Sequence, residues 1–155
     1  MDDPFYNPVE VEVLGLLIGE GVDFVIVGGA AVQYHGYERP REDLDVLIRP
    51  SIANALCFAN AMARTVPAYP FTSEDLEKIA GGSFEWAPRN AHHSGIHFLG
   101  HIGGVTYEEA RASAVLAVCR GLQIPILSLG HLIASKRERD EAKDRADIIA
   151  LGQLV

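Results

Sequence analysis

The feature that most constrains the fold is an apolar run, Phe24–Val27, that ends abruptly at two glycines, Gly28 and Gly29. Four consecutive apolar residues are typical of a strand buried on both faces of a sheet. Because glycine has no β-carbon, the pair allows a tight turn and lets backbone N–H groups approach a ligand closely. Residues 30–35 then have helical composition. We therefore expect a strand, a bend and a helix, with the bend able to hold phosphate.

A second strand is predicted at residues 43–48, DLDVLI. Positions two apart in a strand share a face, so Asp43 and Asp45 should point together while Leu44 points into the core. Neighbouring carboxylates repel one another unless a cation lies between them, and Mg²⁺ prefers a few carboxylates plus the phosphates of a substrate. The pattern predicts a metal-binding pair beside a phosphate-binding bend. The alternative is an ordinary turn followed by two solvated acids at a strand end.

The composition restricts the class of protein. A chain of 155 residues with 48% hydrophobic residues is long enough for one domain with a substantial core, and we expect a single domain over 1–155. The net charge of −8 argues against a broad nucleic-acid surface. The acidic N-terminus lacks the basic region of a secretory signal, and no apolar run approaches the roughly 20 residues of a membrane span. We therefore expect a cytoplasmic protein that does not enter a membrane, with reduced thiols at Cys57 and Cys119.

The remaining elements follow from caps, breakers and periodicity. Helices are predicted from Pro8 to about Glu20, from Ser51 to before Pro67, from Thr72 to Gly81, from Thr106, from Ser128 to about Arg137, and over 143–151. Strands are predicted at 83–86, at Gly95–Ile102, and as a hairpin of 114–118 and 122–127 around Arg120-Gly121. The predicted fold class is α/β (α+β), with a mixed β-sheet flanked by helices.

The segment GGAAVQYHGYERPREDLDVLI resembles the signature of the nucleotidyltransferase superfamily that includes DNA polymerase β. The chain is also similar to small bacterial single-domain nucleotidyltransferase-like proteins, some related to toxins of toxin–antitoxin and abortive-infection systems. Their tail pattern is matched by Leu132–Lys136 and Lys143–Asp147. The resemblance implies the nucleotidyltransferase fold, a nucleoside triphosphate held at Gly28 and Gly29, and a divalent metal on Asp43 and Asp45.

The chain departs from this pattern at His97. Relatives carry a third acid on a later strand, in a segment like Ile-Asp-Phe-Leu, where this chain has Ile96-His97-Phe98-Leu99. The resemblance implies that this acid activates the attacking hydroxyl, which places His97 at the position of the base. Two carboxylates and an imidazole, from Asp43, Asp45 and His97, suit Mn²⁺, Zn²⁺ or Ni²⁺ better than Mg²⁺. The alternative is that the acid has been lost and His97 only fills its place.

Several charged residues are candidates for holding phosphate. Arg39 and Arg41 flank the entrance to the second predicted strand, and arginine suits bidentate contact with phosphate oxygens. The resemblance adds Lys136, as a catalytic and nucleotide-binding residue, and Asp144, as a nucleotide-binding residue. The alternative for residues 136–147, KRERDEAKDRAD, is an exposed helix with mixed charges.

Two functions remain open at this point. The first is transfer of a nucleotidyl group from a nucleoside triphosphate to a hydroxyl on RNA, protein or a small molecule, with Mg²⁺ or Mn²⁺ as the metal. The second is a catalytically degenerate binding or regulatory module with an antitoxin-like partner or a second copy of the chain. The missing third acid at His97 favours the second, and so do Glu42 and the acidic net charge, because added negative charge repels a triphosphate. A third hypothesis is a metal-dependent hydrolase using Asp43, Asp45 and His97.

Overall fold

The computed structural model of the protein describes residues 7–37, 41, 43–65, 71–88 and 95–152. Within them helices and strands are interspersed along the chain. The helices are α1 (Pro8–Gly19), α2 (Gly28–Tyr34), α3 (Ile52–Met62), α4 (Ser73–Gly81), α5 (Tyr107–Ala112), α6 (Leu129–Arg139) and α7 (Ala142–Gly152). The strands are β1 (Phe24–Val27), β2 (Leu44–Ile48), β3 (Glu85–Trp86), β4 (Ile96–Leu99), β5 (Val115–Cys119) and β6 (Leu122–Ile126).

The six strands form one mixed sheet in the order β3-β4-β2-β1-β6-β5. The central strand β1 pairs antiparallel with β2 and parallel with β6. Strand β2 pairs parallel with β4, so residues that are distant in sequence become neighbours in register. The predicted α/β class with a mixed sheet flanked by helices is confirmed.

The two faces of the β2–β4 pair have different environments. On one face Phe98 is fully buried and packs against Phe58 of α3 and Trp86 of β3, with ring centroids 4.9 and 5.6 Å apart. Because successive side chains of a strand point to opposite faces, the neighbouring residue His97 and its register partner Asp45 point away from this aromatic cluster. The sheet therefore separates a hydrophobic face from a face that carries polar side chains.

Most element boundaries agree with the prediction because they depend on local signals. Asn7 caps α1, Ser51 caps α3 and Ser128 caps α6, each through a side-chain oxygen that accepts a backbone N–H. The hairpin of β5 and β6 turns at Arg120 and Gly121, both with positive φ, as the pair predicts.

Three of the differences from the predicted boundaries concern β2, β4 and the bend at Gly28. Helix α2 begins at Gly28, two residues before the predicted start, because the glycines form its first turn and not a separate loop. Strand β2 begins at Leu44, so Asp43 lies just before the strand. Strand β4 ends at Leu99, before the predicted end at Ile102. Strand pairing limits both β2 and β4, since their register partners run only from Leu44 to Leu47 and from Ile96 to Leu99.

No helix in the described part of the chain is long and apolar enough to cross a membrane. Neither Cys57 nor Cys119 forms a disulfide bond. Cys119 is buried, and Cys57 is partly exposed.

Candidate functional site

Asp45 and His97 meet on the polar face of the sheet. They are register partners on the parallel strands β2 and β4, and Nδ1 of His97 lies 3.2 Å from Oδ1 of Asp45. Each side chain is about one quarter exposed, 27% for Asp45 and 24% for His97. The sequence prediction that these two residues share a site agrees with this geometry. Their partial exposure leaves the contact open to a ligand.

The bend at Gly28 lies directly against this pair. Gly28 has φ +63°, a conformation that residues with a side chain rarely adopt, and a Cβ built on it would overlap the carboxylate of Asp45 at Oδ2. A Cβ on Gly29 would lie 2.8 Å from Cβ of Arg41. Neither position has room for a side chain, which explains both glycines. At Gly28 the backbone of the bend lies in contact with the carboxylate of Asp45.

Glu85 is a third member of the site that sequence reasoning missed. It lies on β3 opposite Leu99, two residues from His97 on the same face, and its Oε1 is 2.9 Å from Nε2 of His97. A diagonal neighbour of this kind is within reach of a long side chain. The only sequence signal was a short predicted strand at 83–86, which does not give its pairing partner. We call Asp45, His97 and Glu85 the strand site.

The imidazole of His97 faces a carboxylate at each ring nitrogen. A neutral imidazole carries one N–H, so it can donate to only one of the two carboxylates. If Nε2 donates to Glu85, the lone pair of Nδ1 faces Oδ1 of Asp45, and two electron-rich atoms lie 3.2 Å apart. A cation bound between these two atoms would remove the repulsion, and so would a proton on the carboxyl group of Asp45. The strand site therefore offers two donor atoms to a cation.

Burial raises the pKa of Asp45 above its ordinary value. His97 opposes this rise through its charge and its hydrogen bond, and the nearby charge of Asp43 adds to it. A carboxylate whose pKa is perturbed by burial and by specific charged neighbours is common at functional sites. The electrostatics therefore make Asp45 a candidate site residue.

The predicted three-residue metal site is assembled only in part. Asp45 and His97 are in contact, and Asp43 is close enough to influence Asp45 electrostatically. Among the described residues, no group of three or more His, Cys, Asp or Glu side chains is arranged to hold a metal ion. Carboxylate oxygen and imidazole nitrogen nevertheless suit Mn²⁺ or Zn²⁺. Metal binding by the pair stays a prediction, as does the role of Asp43 as a third ligand.

Lys136 and Asp144 belong to a second charged group, which joins α6 to α7. Nζ of Lys136 is 2.7 Å from Oδ2 of Asp147 and 3.5 Å from Oδ1 of Asp144, and all three side chains are at least 95% buried. Arg139 makes two hydrogen bonds to Asp144, and these lower the pKa of Asp144 to about 2. We call Lys136, Arg139, Asp144 and Asp147 the helix cluster.

The prediction of an exposed helix with mixed charges at 136–147 is wrong for Lys136, Asp144 and Asp147. These residues are 4%, 0% and 1% exposed, because the packing of α6 against α7 encloses them. The ammonium group of Lys136 is satisfied by carboxylates inside the protein. It joins α6 to α7 through these contacts, and its predicted roles in catalysis and nucleotide binding stay predictions.

Of the two arginines predicted to flank β2, only Arg41 lies in the described part of the chain. Arg41 is buried and donates to both oxygens of Glu10 in α1, with Nη1 2.8 Å from Oε2, so its charge is neutralised inside the protein. This pairing contradicts the prediction that Arg41 holds phosphate oxygens. Arg39 and Glu42 lie outside the described residues.

A scan against models of protein families finds no match, and a search of curated proteins also finds none.

Proposed function

We propose that the protein is a nucleotidyltransferase-fold enzyme that binds a nucleoside triphosphate with a divalent cation and transfers the nucleotidyl group to a hydroxyl acceptor. The observation that carries the proposal is the meeting of Asp45, His97 and the Gly28 bend at one point on the sheet. These three elements come from separate parts of the chain. The resemblance in the glycine bend and the Asp-x-Asp strand assigns the same elements to metal and phosphate.

In this proposal each residue has one task. Asp45 and His97, with Asp43, hold the divalent cation, which neutralises the phosphates and stabilises charge that develops on them during in-line attack. Gly28 and Gly29 allow the phosphates to approach the backbone at the start of α2. Glu85 accepts a hydrogen bond from Nε2 of His97 and so fixes which ring nitrogen faces Asp45, as the outer carboxylate does at many metal-binding histidines.

The first experiment measures ligand binding through stability. The melting temperature is recorded with each of the four nucleoside triphosphates, in Mg²⁺ and in Mn²⁺, because a ligand that binds only the native state raises it. We expect a rise with at least one triphosphate in Mn²⁺, and its loss in Asp45→Ala. Glu74→Ala is the control, since Glu74 is an exposed partner of Lys78 on α4. No rise with any triphosphate in either metal would contradict the proposal.

The second experiment measures transfer. Incubation with radioactive triphosphate and Mn²⁺ should label the protein itself or an RNA added as acceptor. The label should be lost in Asp43→Ala and Asp45→Ala and retained in Glu74→Ala. Binding without labelling, for any acceptor tested, would move the protein to the second candidate.

The second candidate function is a binding or regulatory module that holds the nucleotide without transferring it. The specific observation in its favour is that both nitrogens of His97 face carboxylates, so the imidazole is held as a bridge and not left free as a base. In this case His97→Asp restores the acid found in the family pattern. Labelling by His97→Asp but not by the native chain would support this candidate, and labelling by the native chain would exclude it.

A further inference from the structure

Arg139 lies at the C-terminal end of α6 and makes two hydrogen bonds to one carboxylate. Its Nε donates to Oδ2 of Asp144 at 2.8 Å, and its Nη2 donates to Oδ1 of the same carboxylate at 2.6 Å. Asp144 is fully buried and also accepts the backbone N–H of Glu141 at 3.1 Å. Two parallel hydrogen bonds to a fixed carboxylate hold the plane of the guanidinium in one orientation. Arg139 is therefore a pre-oriented cation.

The contact with Asp144 uses only one edge of the guanidinium. Arginine has five N–H donors, and its Nη1/Nη2 edge can bind a second carboxylate or phosphate in the same bidentate way. The side chain of Arg139 is 52% exposed, whereas those of Lys136 and Arg41 are 5% and 8% exposed and bonded to carboxylates. Of these three cations, Arg139 is the one that a ligand in solution can reach.

The position of α6 brings Arg139 toward the strand site. Helix α6 contacts α2, which begins at the Gly28 bend, and its Glu138 packs against Gly103 in the segment after β4. The charges of Arg139 and Asp45 also influence one another. Arg139 is therefore close enough to Asp45 for its charge to act on that carboxylate.

We propose that Arg139, with Asp144 as its positioning residue, binds the outer phosphates of the triphosphate beside the strand site. The proposal rests on the proposed function, because it names the group that recognises the polyphosphate part of the same ligand. The chemistry is bidentate: the Nη1/Nη2 edge donates two hydrogen bonds to phosphate oxygens while the Nε/Nη2 edge stays on Asp144. The guanidinium of Arg139 supplies the positive charge for the phosphates, because Lys136 and Arg41 are paired with carboxylates inside the protein.

The test compares inorganic tripolyphosphate, ATP and AMP as ligands of the full chain in Mn²⁺. Arg139→Gln should weaken binding of tripolyphosphate and ATP about tenfold to a hundredfold, the loss expected for hydrogen bonds to a charged group, and should leave AMP unchanged. Arg145→Gln is the matched control, because Arg145 makes a similar pair with Asp140 but is 64% exposed on α7. Mn²⁺ alone should still bind to Arg139→Gln, which would show that the strand site is intact.

A second variant separates folding from binding. Arg139→Lys keeps the charge but loses the planar fork, so it should fold with Asp144 still paired and lose most of the preference for ATP over AMP. Equal affinity of the native chain and both Arg139 variants for ATP would overturn this inference while leaving the proposed function intact. Absence of ATP and tripolyphosphate binding by the native chain would overturn both. Binding of ATP but not of tripolyphosphate would overturn the role of Arg139 alone.

Discussion

The strand site and the helix cluster are built from the same kinds of charged side chain, and they differ in how completely each charge is satisfied. In the helix cluster, Lys136, Asp144 and Asp147 are almost fully buried and each has an oppositely charged partner. In the strand site, His97 and Asp45 are about one quarter exposed. Burial raises the pKa of Asp45, whereas the partners of Asp144 lower its pKa to about 2.

This difference separates charges that are satisfied inside the protein from charges that a ligand can reach. Removing one partner of a buried charge pair costs much, because it leaves the other charge uncompensated. A charge that the fold leaves under-compensated is a candidate for function, because a ligand can supply what is missing. Arg139 belongs to the helix cluster through its hydrogen bonds to Asp144, but its side chain is 52% exposed.

The largest expected effect comes from breaking the helix cluster at Lys136. Lys136→Met removes the cation between Asp144 and Asp147 and leaves buried carboxylates without it, which should cost about 3–5 kcal/mol in the free energy of unfolding. Urea unfolding measures this loss. Lys78→Met is the control, since the exposed pair of Lys78 with Glu74 is worth about 0.3–0.5 kcal/mol. A stable Lys136→Met that no longer binds ATP would instead assign Lys136 to the ligand.

The second prediction tests whether the strand site depends on the Gly28 bend. In Gly28→Ala the added methyl group clashes with the carboxylate of Asp45, and the alanine must adopt φ +63°. We therefore expect the free energy of unfolding to fall by about 2–3 kcal/mol and Mn²⁺ to bind much more weakly. Gly21→Ala is a matched control, because Gly21 has φ +73° and nothing within 4 Å of the added Cβ. It should show the backbone strain alone, about 1 kcal/mol. Equal losses in the two variants would mean that Asp45 moves aside freely.

The sequence predicted well those features that depend on neighbouring residues. The cap at Thr72, for example, forms a capping box with Asp75, and both partners are three positions apart in the chain. The meeting of Asp45 and His97 was also predictable, although only through the resemblance, since nothing in their local sequence requires β2 and β4 to pair. Local signals therefore gave most of the elements, and the resemblance gave the pair of strands.

The remaining features depend on contacts between distant segments. Glu85 enters the strand site through the register of β3 on β4, and a two-residue strand carries no pattern that fixes a register. The burial of Lys136, Asp144 and Asp147 depends on how α6 packs against α7, and their sequence has the charge pattern of an exposed helix. The role of Arg41 likewise depends on Glu10, thirty-one residues earlier.

The third prediction concerns acid. The pKa of Asp144 in the folded protein, about 2, lies below its value in the unfolded chain, so the stability that it contributes is complete above pH 4. That contribution should be lost as the pH falls from about 4 toward 2, because the unfolded chain then binds a proton that the folded protein does not. Urea midpoints from pH 7 to pH 2 should therefore fall less steeply for Asp144→Asn than for the native chain. Asp140→Asn, at an exposed pair, should follow the native slope.

The smallest expected effect has the opposite sign and concerns the strand site. Because burial raises the pKa of Asp45, the ionised side chain destabilises the fold at pH 7, and Asp45→Asn should be more stable than the native chain without ligand. We expect about 1 kcal/mol, which for a chain of this size is a rise of about 2–4 °C in the melting temperature. Asp75→Asn should instead lower it, because Asp75 stabilises α4 through its capping box. With Mn²⁺ the order of Asp45→Asn and the native chain should reverse, since only the native carboxylate gains from the cation. If Asp45→Asn is more stable than the native chain and Mn²⁺ raises both melting temperatures equally, Asp45 does not bind the metal. The destabilising effect of its burial would then have no functional explanation.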